Sequence, residues 1–446
     1  MSKFLPTTPA ELEILAWDNP DIIIISGDAY IDHPSFGTAL IGRWLQFLGF
    51  RVAVLPQPDW RNDEEFMSLG KPGLFFGITA GNMDSMVNHY TAQRKLRSYD
   101  AYSPEGKTGL RPDRAAIVYS QQVKRLFSDV PIILGGLEAS LRRIPHYDFW
   151  SNKIRNSILF DSRADMIVYG MAEIPLQELT HRLAEGENLG EIQDVNGTVV
   201  STRLQDNDGL ELPEFHKDFT PDDFHRMSCI FYSNYTKTIL YQKFSQRYLR
   251  HNIPARNLTQ KEMDLVYDLP FTRQPHPRYT GKRITAFEQI KNSLTSHRGC
   301  FGGCSFCTLT LHQGRKISSR SIRSLGKEAE KLGKMPYFKG TISDVGGPTA
   351  NMYGQYCKKE GDEKCLRDSC LFPDICPYLE TSHRQQLLML DELNNIEGVK
   401  HIFIASGIRF DLALRDERYI RELAVKYTGG LLKLAPEHYS NKVLQV

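Results

Sequence analysis

The sequence HRGCFGGCSFC, residues 297–307, contains three cysteines at the spacing C-x3-C-x2-C with glycines between them. Three thiolates this close together can bind three irons of a four-iron cubane cluster and leave the fourth iron open to a small ligand. Zinc is the alternative, but a structural zinc site has four ligands, so His297 or His312 would have to complete it. The stretch therefore predicts a metal centre, and an iron–sulfur cluster is the interpretation that we favour.

Outward from this loop, short apolar segments alternate with amphipathic ones in a repeating βα pattern. Strands are expected at 293–297, 340–345, 401–406 and 431–435. Helices are expected between them, at 320–332, 379–394 and 415–427. Repeated βα units with functional residues after the carboxyl ends of their strands are typical of a barrel. Because the sequence stops at Val446, soon after the fourth strand, we expect residues 286–446 to form a barrel that is truncated there.

The first 185 residues predict a separate α/β domain. Continuous apolar strands are expected at 21–26, 51–55, 73–78, 131–136 and 165–170. Buried strands of this kind, separated by helices, form a parallel sheet. Ligands of such sheets bind beyond the carboxyl ends of the strands. We therefore expect one crevice, bordered by the loops at 27–37, 77–82, 135–140 and 170–173.

Residues 186–285 are expected to form a helical connecting segment between these two domains. Its helices are predicted at 220–252 and 258–269, separated by Pro254. The apolar neighbours of Cys229 in the sequence IFY that follows it predict a buried core thiol. We assign no chemistry to this segment.

Composition and charge restrict the class of protein. With 446 residues, 41% of them hydrophobic, the chain is long enough for two or three domains with cores of their own. No stretch approaches the roughly 18 consecutive apolar residues of a membrane span, and the first residues lack a signal-peptide pattern, so we expect a cytoplasmic protein. Seven of the eight cysteines lie between Cys300 and Cys376, which in an intracellular chain indicates metal ligands or nucleophiles.

A basic stretch accompanies the cysteines. Residues 273–323 contain ten Lys or Arg and one acid, Glu288. These cations could offset the negative charge of clustered thiolates and of a small anionic ligand, or they could form an RNA-binding surface. The first interpretation is favoured, because no stacking aromatic pattern of a nucleic-acid module accompanies them.

From about Asp21 to its last residue, the chain resembles the radical S-adenosylmethionine (SAM) superfamily and, more narrowly, its YgiQ-like proteins. The marks of the resemblance are the cysteine triplet with Phe306 before its last member, and the sequences LHQGR at 311–315, GGPTAN at 346–351 and APEH at 435–438. The resemblance implies a [4Fe–4S] cluster on Cys300, Cys304 and Cys307, with SAM bound to the fourth iron. It implies an enzyme that cleaves SAM reductively to a 5′-deoxyadenosyl radical acting on an unidentified substrate. An electron donor such as a flavodoxin or ferredoxin would be its partner.

The resemblance also implies SAM-binding residues. Gly346 and Gly347 end the second strand, where the superfamily contacts the SAM amino group, although Pro348 stands in place of the usual acidic residue. Glu437 could bind the ribose hydroxyls and Arg315 the methionyl carboxylate. With Phe306 these form the predicted cofactor-binding set, and no catalytic residue is assigned beyond the cluster.

A second set of cysteines has the spacing C-x7-C-x4-C-x5-C in a polar insertion at 353–378: Cys357, Cys365, Cys370 and Cys376. Four cysteines in a polar loop could bind an auxiliary iron–sulfur cluster or a structural zinc ion, with His383 nearby as a substitute ligand. Unligated thiols are the alternative.

Residues 1–185 resemble the Rossmann-like, cobalamin-binding domains that precede many radical SAM barrels. A lower cobalt ligand would require D-x-H-x-x-G, whereas the sequence from Asp32 to Gly37 places His33 one residue early. Cobalamin could bind without a protein ligand, or the domain could be a structural relative that serves substrate binding.

Two other functions stay open at this point. The chain could be an RNA-modifying radical SAM enzyme that transfers a methyl or methylthio group. It could instead be a non-catalytic iron–sulfur or zinc protein acting as a sensor or scaffold.

Overall fold

The computed structural model describes residues 4–203, 208–359, 365, 367, 369–434, 436 and 438–444. The chain divides into two compact units. Unit 1 contains residues 1–256 and 269–288, and unit 2 contains residues 257–268 and 289–446. Within the described ranges, no helix is long and apolar enough to cross a membrane.

A nine-stranded sheet forms the centre of the described part of unit 1. Its strands are β1 (Ile22–Ser26), β2 (Val52–Pro56), β3 (Phe75–Thr79), β4 (Ile132–Leu134), β5 (Met166–Val168), β6 (Thr198–Thr202), β7 (Gly209–Leu212), β8 (Ile239–Phe244) and β9 (Arg247–His251). They are arranged in the order β7-β8-β9-β6-β5-β4-β3-β1-β2. The five strands predicted from the sequence are β1 to β5, and they run parallel to one another. The predicted α/β fold with a large parallel sheet is thus confirmed.

Apolar continuity explains why β1 lies inside this sheet. All five of its residues are buried, and it pairs with β2 on one side and β3 on the other. A strand covered on both faces needs an unbroken apolar run, which Ile22 to Ile25 supply. The α-helices of unit 1 are Pro9–Ile14, Gly37–Phe47, Asp63–Met67, Ser85–His89, Ala115–Leu126, Gly136–Leu141, Ile158–Ser162, Glu173–Ala184 and Pro221–Asn234, and Thr285–Ile290 crosses the boundary of the units.

The prediction of a helical connecting segment at 186–285 is wrong for much of that range. The helix expected at 220–252 ends at Asn234, and β8 and β9 follow it as an antiparallel hairpin. In β8, Leu240, Gln242 and Phe244 lie on one face and are buried, a period of two that the aromatic residues obscured in the sequence. Strands β6 and β7 also lie in this segment, so these residues extend the sheet instead of connecting two domains.

Cys229 is exposed, which corrects the prediction of a buried core thiol. It lies on the helix Pro221–Asn234, whose buried residues are Met227 and Phe231. Those two side chains are four residues apart and share one face, and Cys229 falls between them in sequence, on another face.

Unit 2 contains a series of short parallel strand pairs. Its strands are β10 (Ser293–Thr295), β11 (Thr341–Ile342), β12 (Asp344–Gly346) and β13 (His401–Ile402). β10 pairs with β12 and β11 pairs with β13, both in parallel. The α-helices of the unit are Gln260–Asp268, Leu309–Gln313, Ile322–Gly333, Arg384–Asn394, Phe410–Ala413, Glu417–Lys426 and Asn441–Leu444.

The fourth strand of the predicted barrel is represented by one parallel bridge between Ile408 and Leu434. Among the described residues 431–434, no longer strand is formed, because exposed side chains there offer no face to bury. The consecutive parallel pairs agree with the predicted βα series. A barrel truncated after its fourth strand goes beyond these pairs and stays a prediction.

Candidate metal centre

The cysteine loop of unit 2 is held in shape by its backbone. Residues 297–298 pair antiparallel with residues 318–319, and the Cys300 N–H donates to the Gly314 carbonyl at 3.1 Å. Gly299 has a φ of +88°, and a Cβ there would lie 2.0 Å from the Lys316 carbonyl oxygen. Glycine is required at this position, since any other residue would both strain the backbone and collide.

Gly302 lies beside two of the thiols. A Cβ at this position would lie 3.4 Å from Cys300 Sγ and 3.7 Å from Cys304 Sγ. The Cys307 N–H donates to the Cys304 carbonyl at 3.0 Å, so the third cysteine follows within the same turn. Three thiols in one glycine-rich loop are a suitable donor set for three irons of a cluster.

The thiols are not arranged as a preformed site. In the described part of the chain, no three His, Cys, Asp or Glu side chains are grouped so as to hold a metal ion. Cys300 is buried, with its Sγ 3.4 Å from Thr349 Oγ1, whereas Cys304 and Cys307 are partly exposed. Metal binding therefore requires side-chain rotation at the triplet, which the partial exposure of two thiols permits.

Arg409 is a functional candidate that the sequence analysis missed. Its Nη1 donates to Cys304 Sγ at 3.5 Å, and its Nε donates to Asp411 Oδ1 at 3.1 Å. Burial alone would lower the pKa of Arg409, but Asp411 and the thiols of Cys304 and Cys300 raise it above its ordinary value. A cation next to these sulfurs favours their thiolate form. The one sequence signal was its position shortly after the third strand of the βα series, which does not reveal its contact with Cys304.

His297 is occupied inside the protein. It is completely buried, with Nδ1 2.9 Å from Ser296 Oγ and Nε2 3.0 Å from the Thr349 carbonyl. Burial lowers the pKa of His297 to about 4, so the ring is neutral. Both ring nitrogens have partners, which leaves His297 unsuited to complete a zinc site at the triplet.

The predicted SAM-binding residues have different surroundings. Phe306 is 64% exposed at the end of the loop. A Cβ at Gly346 would meet Ser406 at an ordinary 3.5 Å, whereas at Gly347 it would lie 2.6 Å from the His297 carbonyl oxygen. Arg315 donates to the Arg367 carbonyl at 2.6 Å. Glu437 lies outside the described residues.

The second set of cysteines is only partly buried. Cys357 and Cys365 are exposed, and Cys370 and Cys376 are intermediate. Burial raises the pKa of the Cys370 thiol, Arg315 opposes the rise, and the thiols of Cys376, Cys365 and Cys357 add to it. As at the triplet, the described side chains of this set are not grouped as a preformed metal site.

His383, the predicted substitute ligand, is buried elsewhere in unit 2. Its Nε2 lies 3.2 Å from Asn351 Nδ2, and its ring stacks on Tyr419 with the centroids 4.0 Å apart. Burial lowers the pKa of His383 to about 4, while Asp416 opposes that shift. These contacts make the ring part of the packing around Asn351.

In unit 1, two of the four loops that were predicted to border one crevice, 27–37 and 77–82, are joined by hydrogen bonds. The Asn82 N–H donates to Asp28 Oδ2 at 2.7 Å, and Asn82 Nδ2 donates to the Ser35 carbonyl at 3.2 Å. Asp28 and Asp100 are joined by buried Arg111, whose Nη atoms lie 2.8 Å and 2.9 Å from them. The strand ends are thus fixed by a buried ion-pair network.

His33 does not fit the role of a cobalt ligand. It is completely buried, and its Nδ1 accepts from the Ser35 N–H at 3.1 Å. Burial and the nearby charge of Arg273 hold the pKa of His33 well below its usual range. A corrin bound in the crevice would have no access to this ring.

Comparisons with known proteins point to one family. A family model described as "Radical SAM N-terminal" matches residues 4–293. The chain is 45% identical to the UPF0313 protein YgiQ of Escherichia coli K12, covering 98% of this chain and 68% of that protein. It is 46% identical to a putative UPF0313 protein of Yersinia pestis, covering 98% of this chain and 64% of that protein. The chain thus spans about two thirds of the length of these curated relatives.

The sequence identity of the chain to solved structures is lower than its identity to these relatives. The apo form of the cobalamin-dependent SAM radical enzyme OxsB gives a TM-score of 0.47 at 11% identity, covering 96% of this chain and 45% of that one. At that level the similarity does not fix the fold or the cofactors of this chain.

Proposed function

Because this chain belongs to the YgiQ-like (UPF0313) family of radical SAM proteins, we propose that it binds a [4Fe–4S] cluster on Cys300, Cys304 and Cys307. When bound and reduced, this cluster would supply the electron that cleaves SAM to methionine and a 5′-deoxyadenosyl radical, which takes hydrogen from an unidentified substrate. The observation that carries the proposal is that the three thiols share one glycine-rich loop, in which two of them lie beside Gly302.

The residues around the loop would prepare the thiols for iron. Arg409 stabilises negative charge on Cys304, and Thr349 Oγ1 can donate to Cys300 Sγ once that thiol is ionised. Ser369 Oγ donates to the Gly302 carbonyl at 2.6 Å and so holds the loop from its other side.

The residues proposed to bind SAM are Phe306, Gly346 and Gly347, with Glu437 and Arg315. The exposed ring of Phe306 is accessible to a ligand, whereas Gly346 is buried and its carbonyl accepts from the Ser296 N–H at 2.7 Å. Arg315 already donates to Arg367, so its role as a carboxylate ligand requires its remaining N–H groups. The electron donor would be a flavodoxin or a ferredoxin, and the site of action the cytoplasm.

Anaerobic reconstitution tests this function. The purified chain is loaded with iron and sulfide, mixed with SAM and dithionite, and assayed for 5′-deoxyadenosine. We expect the product from the parent chain and from Cys229→Ser, and none from Cys304→Ala. A parent chain that shows the iron–sulfur absorption but forms no 5′-deoxyadenosine would instead be a non-catalytic iron–sulfur protein.

A further inference from the structure

The insertion at 353–378 carries half of the cysteines of the chain, outside the centre already described. Its first cysteine, Cys357, forms an antiparallel bridge with Leu379. The Lys358 N–H donates to the Tyr378 carbonyl at 2.7 Å, and the Glu380 N–H donates to the Tyr356 carbonyl at 2.9 Å. The two ends of the insertion are therefore paired, and Cys357 lies beside the residues that follow Cys376.

Cys370 and Cys376 are brought to the same end by a compact turn. The Cys376 N–H donates to the Cys370 carbonyl at 2.8 Å, and the Leu379 N–H donates to the Cys376 carbonyl at 3.0 Å. Arg367 donates from Nε to the Ser369 carbonyl at 3.1 Å. This backbone arrangement places cysteines that are 19 positions apart in the sequence, Cys357 and Cys376, in one region.

The charges around the thiols suit a negatively charged metal–thiolate centre. Arg315 donates to the Arg367 carbonyl at 2.6 Å, and Arg367 lies between Cys365 and Cys370 in the sequence. Four thiolates around a divalent metal carry net negative charge, which nearby cations stabilise. Arg315, assigned to SAM from the sequence, thus has a structural partner in the insertion.

We propose that Cys357, Cys365, Cys370 and Cys376 together bind one zinc ion as a structural four-thiolate site. Four protein ligands and no open position are what a structural zinc site needs. The insertion is polar, and in its described part Cys370 and Cys376 pack against a small cluster of buried residues that includes Met352, Leu371 and Leu379. Small segments without a sufficient core are commonly stabilised by a metal, which fits a structural ion better than a redox cluster.

The insertion also supports the cluster loop. The Cys370 N–H donates to the Phe301 carbonyl at 3.2 Å, and Ser369 Oγ donates to the Gly302 carbonyl. These bonds reach carbonyl groups of the loop and none of its thiols. We therefore expect the triplet to keep its iron when zinc is lost from the insertion.

Metal analysis of anaerobically purified protein tests the site. Zinc and iron are measured per chain in the parent, in Cys365→Ser and in Cys370→Ser. The parent should contain about one zinc ion per chain, and both variants should lose nearly all of it while retaining the iron–sulfur absorption of the triplet. Cys229→Ser, which removes an exposed thiol of unit 1, is the matched control and should keep its zinc.

Cys365→Ser makes the test independent of folding. The Cys365 side chain is exposed, so its replacement should leave the circular dichroism spectrum unchanged. A parent chain without zinc, or equal zinc in the parent and both variants, would overturn the proposal. So would the loss of additional iron in place of zinc, which would identify an auxiliary iron–sulfur cluster. Failure to form 5′-deoxyadenosine would not bear on this site, since zinc binding is measured without SAM.

Discussion

The side chain of Asn351 forms two hydrogen bonds with the backbone of Arg409. Its Oδ1 accepts from the Arg409 N–H at 2.9 Å, and its Nδ2 donates to the Arg409 carbonyl at 3.0 Å. Asn351 closes the GGPTAN sequence after β12, and Arg409 reaches Cys304. Asn351 therefore fixes the backbone position from which the Arg409 guanidinium extends to Cys304.

Replacing Asn351 with alanine should destabilise unit 2. The side chain is completely buried, and its removal takes the partner from the Arg409 N–H, whereas the Arg409 carbonyl still accepts from the Ala413 N–H at 3.1 Å. Leaving buried polar groups unsatisfied costs about 1–3 kcal/mol, so the free energy of unfolding should fall by about 2 kcal/mol. Urea denaturation of the metal-free protein measures this change.

The control for that substitution is Asn394→Ala, which changes an exposed asparagine at the end of the helix Arg384–Asn394. We expect it to alter stability by less than about 0.5 kcal/mol. Equal unfolding midpoints for the two variants would show that the hydrogen bonds between Asn351 and Arg409 contribute nothing to stability.

Arg409 should set the reduction potential of the reconstituted cluster. A cation that donates to a coordinating sulfur stabilises the more negative, reduced state. Arg409→Gln should therefore shift the potential to more negative values by several tens of mV, on the scale of 59 mV for a tenfold change in a one-electron equilibrium. Arg409→Lys keeps the charge and should shift it less.

Potentiometric titration followed by electron paramagnetic resonance checks both variants, with iron content measured in parallel. Equal potentials in the parent and in Arg409→Gln, at equal iron content, would remove the electrostatic role. In that case the contact between Arg409 and Cys304 would contribute only to the packing of the loop.

The sequence predicts the parallel strands and the cysteine loop because both depend on local patterns. The apolar run at Ile22 to Ile25 and the spacing of the three cysteines are visible without tertiary information. The hairpin of β8 and β9 was misassigned as helix because aromatic residues satisfy both periods in a short window. Arg409 was missed because its partner, Cys304, lies 105 residues away, and such a contact exists only once the strands are assembled.

Gly346 and Gly347 should respond differently to alanine. At Gly347 the new Cβ would lie 2.6 Å from the His297 carbonyl oxygen and 2.7 Å from its Nε2, whereas at Gly346 it would make an ordinary contact with Ser406. Overpacking of this kind costs about 1–3 kcal/mol, so Gly347→Ala should lower the unfolding free energy by that amount and Gly346→Ala by much less.

Denaturation combined with SAM binding to the reconstituted protein distinguishes packing from ligand contact. We expect Gly346→Ala to weaken SAM binding with little change in stability. Similar losses of stability in both variants would contradict the packing difference at these positions.

His383 should make the stability of unit 2 depend on pH. Burial lowers the pKa of the folded histidine to about 4, whereas the unfolded histidine has a pKa of about 6.5. Between these values the unfolded chain binds a proton that the folded chain does not, so the unfolding free energy falls as the pH is lowered from about 6.5 towards 4. The contribution lost between pH 7 and pH 5 is about 2 kcal/mol, and His383→Gln, which cannot be protonated in this range, should not show it.

Urea denaturation at both pH values gives the difference, with the exposed His401→Gln as the control that should keep the parent's pH dependence. If His383→Gln lost stability between pH 7 and pH 5 as steeply as the parent does, protonation of the buried ring would not be the cause.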